Sequence, residues 1–304
     1  MIILPVFAPR AQPCRLLLRS LACLLGYALL AGCSGTTPLV VGAMNSTEQS
    51  ILSEIVAQHL ERRLGQTVER RANLSDSSFA FQTVQGRQVD VYVDSTGTLV
   101  SEILRETPAD DASAILERAR GELRRTGQVE VLNPLGFENP TTLVIRSSDQ
   151  RAATTNTLSD AAKVKMGWRL GVSYAFQQRN DGTPALNAYK LPMAAPPRGM
   201  DTPLLFPALD RSEVTMITAS ATDGALSNKA YKALIDDQHH FSVQQGVIVV
   251  RQDSLARVPA LRSALDQLSG KFTSEKMREM NQQVESRRHT AQEVAAEFLK
   301  GAGL

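Results

Sequence analysis

Leu39-Val40-Val41-Gly42-Ala43-Met44-Asn45-Ser46-Thr47-Glu48-Gln49 and Val89-Asp90-Val91-Tyr92-Val93-Asp94-Ser95-Thr96-Gly97-Thr98 decide the fold. Each reads as an apolar strand running into a hydroxyl-rich turn and a helix. In open α/β sheets, solutes settle beyond the carboxyl ends of such strands, where helix N-terminal N–H groups and short hydroxyl side chains point. Outward from the first stretch, a helix from Gln49 to Leu64 sets Ile51, Leu52, Ile55, Val56 and Leu60 on one stripe. Ser46 and Gln49 stand at capping-box spacing. After Thr98 a helical stretch continues through Ala112 to Arg125. Leu143 to Arg146, Met166 to Val172, Val214 to Ala219 and Gly246 to Arg251 read as strands, and Thr157 caps a further helix. Two helices close the chain, the last opening with the capping box Thr290-Ala291-Gln292-Glu293. Strands alternating with helices give an α/β class.

These blocks resemble the substrate-binding proteins of osmoprotectant ABC importers, the glycine betaine, carnitine, choline and proline type. The family shows G-S-K-N-F-T-E-Q and D-L-Y-P-E-Y-T-G-T at the two opening stretches. The likeness continues through Gly136-Phe137-Glu138-Asn139-Pro140-Thr141-Thr142-Leu143, Ala175-Phe176-Gln177-Gln178-Arg179-Asn180-Asp181-Gly182, Ala219-Ser220-Ala221-Thr222-Asp223-Gly224 and Asp236-Asp237-Gln238-His239-His240-Phe241-Ser242-Val243-Gln244. Six blocks in order imply a two-lobe, periplasmic-binding-protein-like fold of the type 2 solute-binding class, with the chain crossing twice between lobes. Residues 38–138 plus 243–304 form the expected first lobe, 139–242 the second, and 33–37 a tether. A hinge between them lets the lobes close on a solute.

Carried over from the family, the ligand-binding candidates are Met44, Asn45, Ser46, Ser95, Thr98, Asn139, Thr141, Arg179, Ser220 and Gln244. Arg179 stands where the family grips a carboxylate. The family's tyrosines, which attract a quaternary ammonium group through their ring faces, fall at Ser95, Thr141, Ser220 and Gln244. At about 1 kcal/mol per ring, four losses remove ~4 kcal/mol, or about a thousandfold in betaine affinity. Hydroxyls and an amide favour a solute larger and more polar than betaine, a polar or anionic one. A shifted alignment brings Tyr92, Tyr174, Phe206 or Phe241 forward to rebuild the box. Glu48 and Gln49 read as helix-start residues, and Asp94 and Asp223 as helix-entry caps as readily as ligand contacts.

Residues 1–32 contain Arg10, Arg15 and Arg19, no acidic residue and an apolar run from Leu21 to Leu30, followed by Leu30-Ala31-Gly32-Cys33. This is a lipoprotein signal peptide with Cys33 as the lipidated residue. The run is shorter than the roughly 20 residues a spanning helix needs. Cleavage moves the formal charge from +2 to −1. The expected place is the bacterial cell envelope, periplasmic or extracytoplasmic and lipid-anchored. Through the resemblance the expected partners are a small solute and the ABC permease and ATPase subunits, with the protein a monomer.

No Lys/Arg cluster is backed by aromatic residues, so no nucleic-acid partner is expected. No G-x-S-x-G, H-E-x-x-H, P-loop or paired-cysteine spacing points to an enzyme, a catalytic residue or a cofactor. His239-His240 lacks a third ligand at metal spacing. The alternative function is a ligand-sensing or adaptor protein on the same fold without a transport role.

Overall fold

Apolar runs alternating with capped helices build two five-stranded sheets in the computed structural model, which describes residues 1–2, 37–108, 111–179 and 182–304. Cys33, Ser34, the leader beyond Ile2, and Asn180-Asp181 lie outside the described residues. The body described below spans Pro38–Leu304.

The first sheet has the order β2-β1-β3-β10-β4. Its strands are β1 (Leu39–Met44), β2 (Val68–Leu74), β3 (Val91–Ser95), β4 (Val129–Val131) and β10 (Gly246–Arg251). β1 runs parallel to β2 and β3, whereas β10 is antiparallel to β3 and β4. β1 passes at Ser46 into α1 (Thr47–Leu64); the Ser46 hydroxyl accepts from the Gln49 N–H at 3.2 Å. α1 ends at Gly65, whose φ of 64° lets its N–H return to the Glu61 carbonyl. α2 (Ser77–Gln85) and α3 (Ala112–Thr126) cover the opposite face.

The second sheet has the order β7-β6-β8-β5-β9. It comprises β5 (Thr141–Arg146), β6 (Leu170–Ser173), β7 (Arg198–Met200), β8 (Met216–Ser220) and β9 (Tyr231–Leu234). Here β6 is parallel to β7 and β8, and β5 is antiparallel to β8 and β9. α4 (Leu158–Ala162), α5 (Tyr174–Gln178), α6 (Gly182–Ala188) and α7 (Leu205–Asp210) pack on it. After β10 come α8 (Gln252–Arg257), α9 (Leu261–Asp266), α10 (Ser274–Glu285) and α11 (Ala291–Gly301). Three of these helices, α9 to α11, join α1 over the first sheet in a core that includes Ile51, Ile55, Leu261, Met277 and Leu299.

The chain therefore leaves the first sheet after β4, builds the second, and returns at β10. The two passages run side by side: the Asn139 N–H donates to the Gln244 carbonyl at 2.8 Å, and Glu138 bridges Gln245 antiparallel. This is the two-lobe architecture with two crossings that the motif order implied. Several local expectations are corrected. The stretch after Thr98 is not one helix: Leu99–Ile103 forms a π-turn, and α3 starts only at Ala112. Pro108 explains the break, because a residue before proline is pushed out of the helical region. The strand expected at Met166 begins at Leu170, preceded by an isolated Trp168–Met193 bridge.

Candidate functional site

Both sheets reverse their strand order beside two parallel neighbours, β1 with β3 and β6 with β8. The carboxyl ends of these strands are where a doubly wound sheet opens a crevice. Cavities occur at both places. One, of about 270 Å³, is lined by Met44 at the end of β1, Ser95 at the end of β3, and Glu48, Asp76, Asp94, Thr98, Glu102, Phe137 and Gln244 among others. The other, of about 190 Å³, is lined by Thr141, Ser173, Phe176, Arg179, Thr202, Thr218 and Ser220. Asn139 on the outgoing crossover lines both. A roomier depression of about 440 Å³ lies between α10 and α11, away from either strand-end crevice.

Of the candidate residues, Met44, Ser95, Thr98, Asn139 and Gln244 come together in the first half-site, and Asn139, Thr141, Arg179 and Ser220 in the second. Asn45 and Ser46 do not join them. The Asn45 N–H is used on the Leu74 carbonyl at 3.0 Å, and Ser46 is the exposed cap of α1.

In the first half-site the polar groups already answer one another. Gln244 Oε1 accepts from the Ser95 hydroxyl at 2.6 Å and from the Thr98 N–H at 3.1 Å. Those donors fix the orientation of the amide and leave its Nε2 buried without a partner. The amide lies so close to Gly97 that a Cβ there would sit 2.5 Å from Nε2 and 2.6 Å from the Val243 carbonyl oxygen. The second crossover is thus pressed against the turn that ends β3.

The half-sites differ in charge. Glu48, Asp76, Asp94 and Glu102 line the first, and among the described residues no lysine or arginine does. Asp94 is buried; its carboxylate accepts from the Ser95 N–H at 2.8 Å and from the Ser77 hydroxyl. Burial is the main cause that lifts its pKa to about 7, with the Glu102 charge adding to the rise. Asp76 caps α2 through the Phe79 N–H at 2.8 Å. In the second half-site Arg179, at the end of α5, extends Nη1 to 3.4 Å from the Thr141 hydroxyl, and Thr141 pairs with Ser220 across β5 and β8. Among the described residues, none of those lining this half carries a carboxylate.

The four rings that a shifted alignment offered do not line either cavity. Tyr92 and Phe241 are buried, the latter 6.4 Å from Phe176 in the second lobe's core. Phe206 stacks edge-on against Tyr231 at 4.9 Å, and Tyr174 is exposed beside Gly199. The rings that do line the cavities are Phe137 and Phe176, one in each half. Neither was among the candidates that the resemblance marked, although each stands inside a motif block. Nor were Asp76 and Glu102, which carry no motif.

A family model described as the substrate binding domain of ABC-type glycine betaine transport systems matches residues 37–301. The carnitine transport binding protein OpuCC of Listeria monocytogenes is 27% identical over 275 residues, covering 88% of each chain. An ergothioneine transport permease and binding protein, EgtU, of Helicobacter pylori is also 27% identical, over 88% of this chain and 48% of that one. A crystal structure of a glycine betaine/carnitine/choline ABC transporter protein superposes with a TM-score of 0.78 at 22% identity, covering 86% of this chain and 98% of that one. With the match running through both lobes, the chain belongs to the family of substrate-binding domains of ABC-type glycine betaine transport systems.

Proposed function

We propose that this protein is the extracytoplasmic substrate-binding lipoprotein of an ABC importer, anchored through Cys33 and acting as a monomer. It captures a small polar solute between its lobes and delivers it to a permease served by an ATPase. No helix among the described residues is long and apolar enough to cross a membrane. Recovery of the solute unchanged after incubation separates a carrier from an enzyme.

The solute this geometry suits best is a zwitterion larger and more polar than glycine betaine. The observation that carries the reading is the opposite charge of the two half-sites: carboxylates at the ends of β1 and β3, Arg179 at the end of α5. An anionic end of the solute meets Arg179, Thr141 and Ser220. A cationic end faces Asp76, Asp94 and Glu102. Carboxylates accept hydrogen bonds, so they favour an ammonium or guanidinium with N–H groups over a methylated one. A purely anionic solute fits less well, because the first half-site presents like charge to it.

A thermal-shift screen of betaines, amino acids, sugar acids and polyols tests this, since a ligand that binds only the folded state raises Tm. Zwitterions with free N–H groups are expected to give the largest shifts, and Arg179→Ala to abolish them. Micromolar or tighter binding of glycine betaine or choline would overturn the solute assignment.

A further inference from the structure

One carboxylate hydrogen-bonds to both lobes and to the crossover between them. Glu48, in the first turn of α1, accepts at Oε1 from Asn139 Nδ2 on the outgoing crossover at 3.0 Å. Its Oε2 accepts from the Thr222 hydroxyl, in the turn after β8 of the second lobe, and from Asn281 Nδ2 on α10 of the first lobe at 3.0 Å. Asn281 Nδ2 also lies 2.8 Å from the Thr222 carbonyl. The constraint is passed on. Asn139 Oδ1 accepts from the Ser220 hydroxyl at 2.7 Å and from the Thr222 N–H at 3.2 Å. Packing closes the joint: a Cβ on Gly224 would fall 2.6 Å from the Gln282 backbone nitrogen on α10.

We propose that Glu48 is a positioning residue for solute capture, which sets the separation of the two half-sites by clamping Asn139 and the Ser220–Thr222 strand end of the second lobe to the first. An ionised carboxylate suits the task because its two oxygens accept several donors and offer none. A glutamine has one acceptor oxygen, and its NH₂ would face a donor. The role rests on the solute-capture reading, but the interlobe distance tests it with no solute present.

The charges around the joint supply a second readout. Asp223 of the second lobe and Glu285 of α10 stand near enough to Glu48 for their charges to repel. Burial raises all three carboxyls; Glu285 is lifted to about 7, with Asp223 and Glu48 repelling its ionised form. Below pH 7 a proton on Glu285 removes repulsion across the interface, and above it the repulsion returns.

The experiment is a spin-label distance measurement between exposed positions Arg71 and Lys165, one on each lobe, in the chain with Cys14, Cys23 and Cys33 replaced by serine. The parent gives a narrow distribution, narrower at pH 5.5 than at pH 8.5. Glu48→Gln and the isosteric Thr222→Val each widen it at least twofold, and Glu285→Gln removes the pH dependence. If Glu48→Gln does not fold, Thr222→Val alone decides. Parent-like distributions in folded Glu48→Gln or Thr222→Val would overturn the proposal. A failed solute screen with the distances behaving as described leaves the joint standing and removes only the cargo assignment.

Discussion

Asp90 shows how one buried carboxylate can secure an element. It lies just before β3 and accepts from Arg251 and Arg257 at 2.9 Å each, from the Ser254 hydroxyl, and from the Val40 N–H at 2.8 Å. Asp90→Ala leaves the mostly buried Arg251 with Asp253 as its remaining counter-charge, so a loss of about 1–3 kcal/mol is expected, read as a lower urea midpoint. Asp94 makes a different prediction. A bound cation favours its ionised form, so its pKa of about 7 in the free protein falls on binding and a proton is released. Affinity for a cationic or zwitterionic solute then rises with pH through about 7 and levels off above it, and calorimetry in buffers of different ionisation enthalpy detects the proton. At this scale the sequence was partly legible. Motif spacing marked Thr98, Gln244 and Arg179, which line the two cavities. Asp76 and Glu102 were not marked, because only the fold brings α2 and the π-turn to the end of β3.

Elements set what the residues are able to do. The turn after β3 approaches the second crossover so closely that Gly97→Ala would collide with the Val243 carbonyl, a backbone atom that cannot swing away. That variant is expected to lower Tm and weaken capture together, as thermal melts and calorimetry on the same sample will show. On α10, Glu285 has a folded pKa raised to about 7 by burial and by Asp223 and Glu48. A raised carboxyl binds its proton more tightly in the folded chain. Its contribution is therefore fully present below about pH 4.5 and lost as pH rises through 7. Glu285→Gln, which never ionises, should melt higher than the parent at pH 8, with the gap closing towards pH 4. The central strands β1, β3 and β10 were plain in the sequence as apolar runs. β2, β7 and β9 were not: Val68–Leu74 carries Glu69, Arg70 and Arg71 in succession, so an edge strand reads there as a polar loop.

For the whole molecule, the family resemblance carried by the ordered motif blocks implied two lobes and two crossings, and the two sheets with paired crossovers at Asn139 and Gln244 have that form. The polarity of the crevice was less legible. Serine, threonine and glutamine stand where the resemblance places tyrosines, and the structure adds a carboxylate-lined cavity and an arginine-bearing one that share Asn139. In the proposed function the cleft therefore takes a hydrogen-bonding zwitterion rather than a quaternary ammonium. Calorimetric titration of the protein with glycine betaine tests that claim most directly. Binding about a thousandfold weaker than a four-ring box would give is expected, with no saturation at micromolar betaine. A Kd in the micromolar range or below would contradict it.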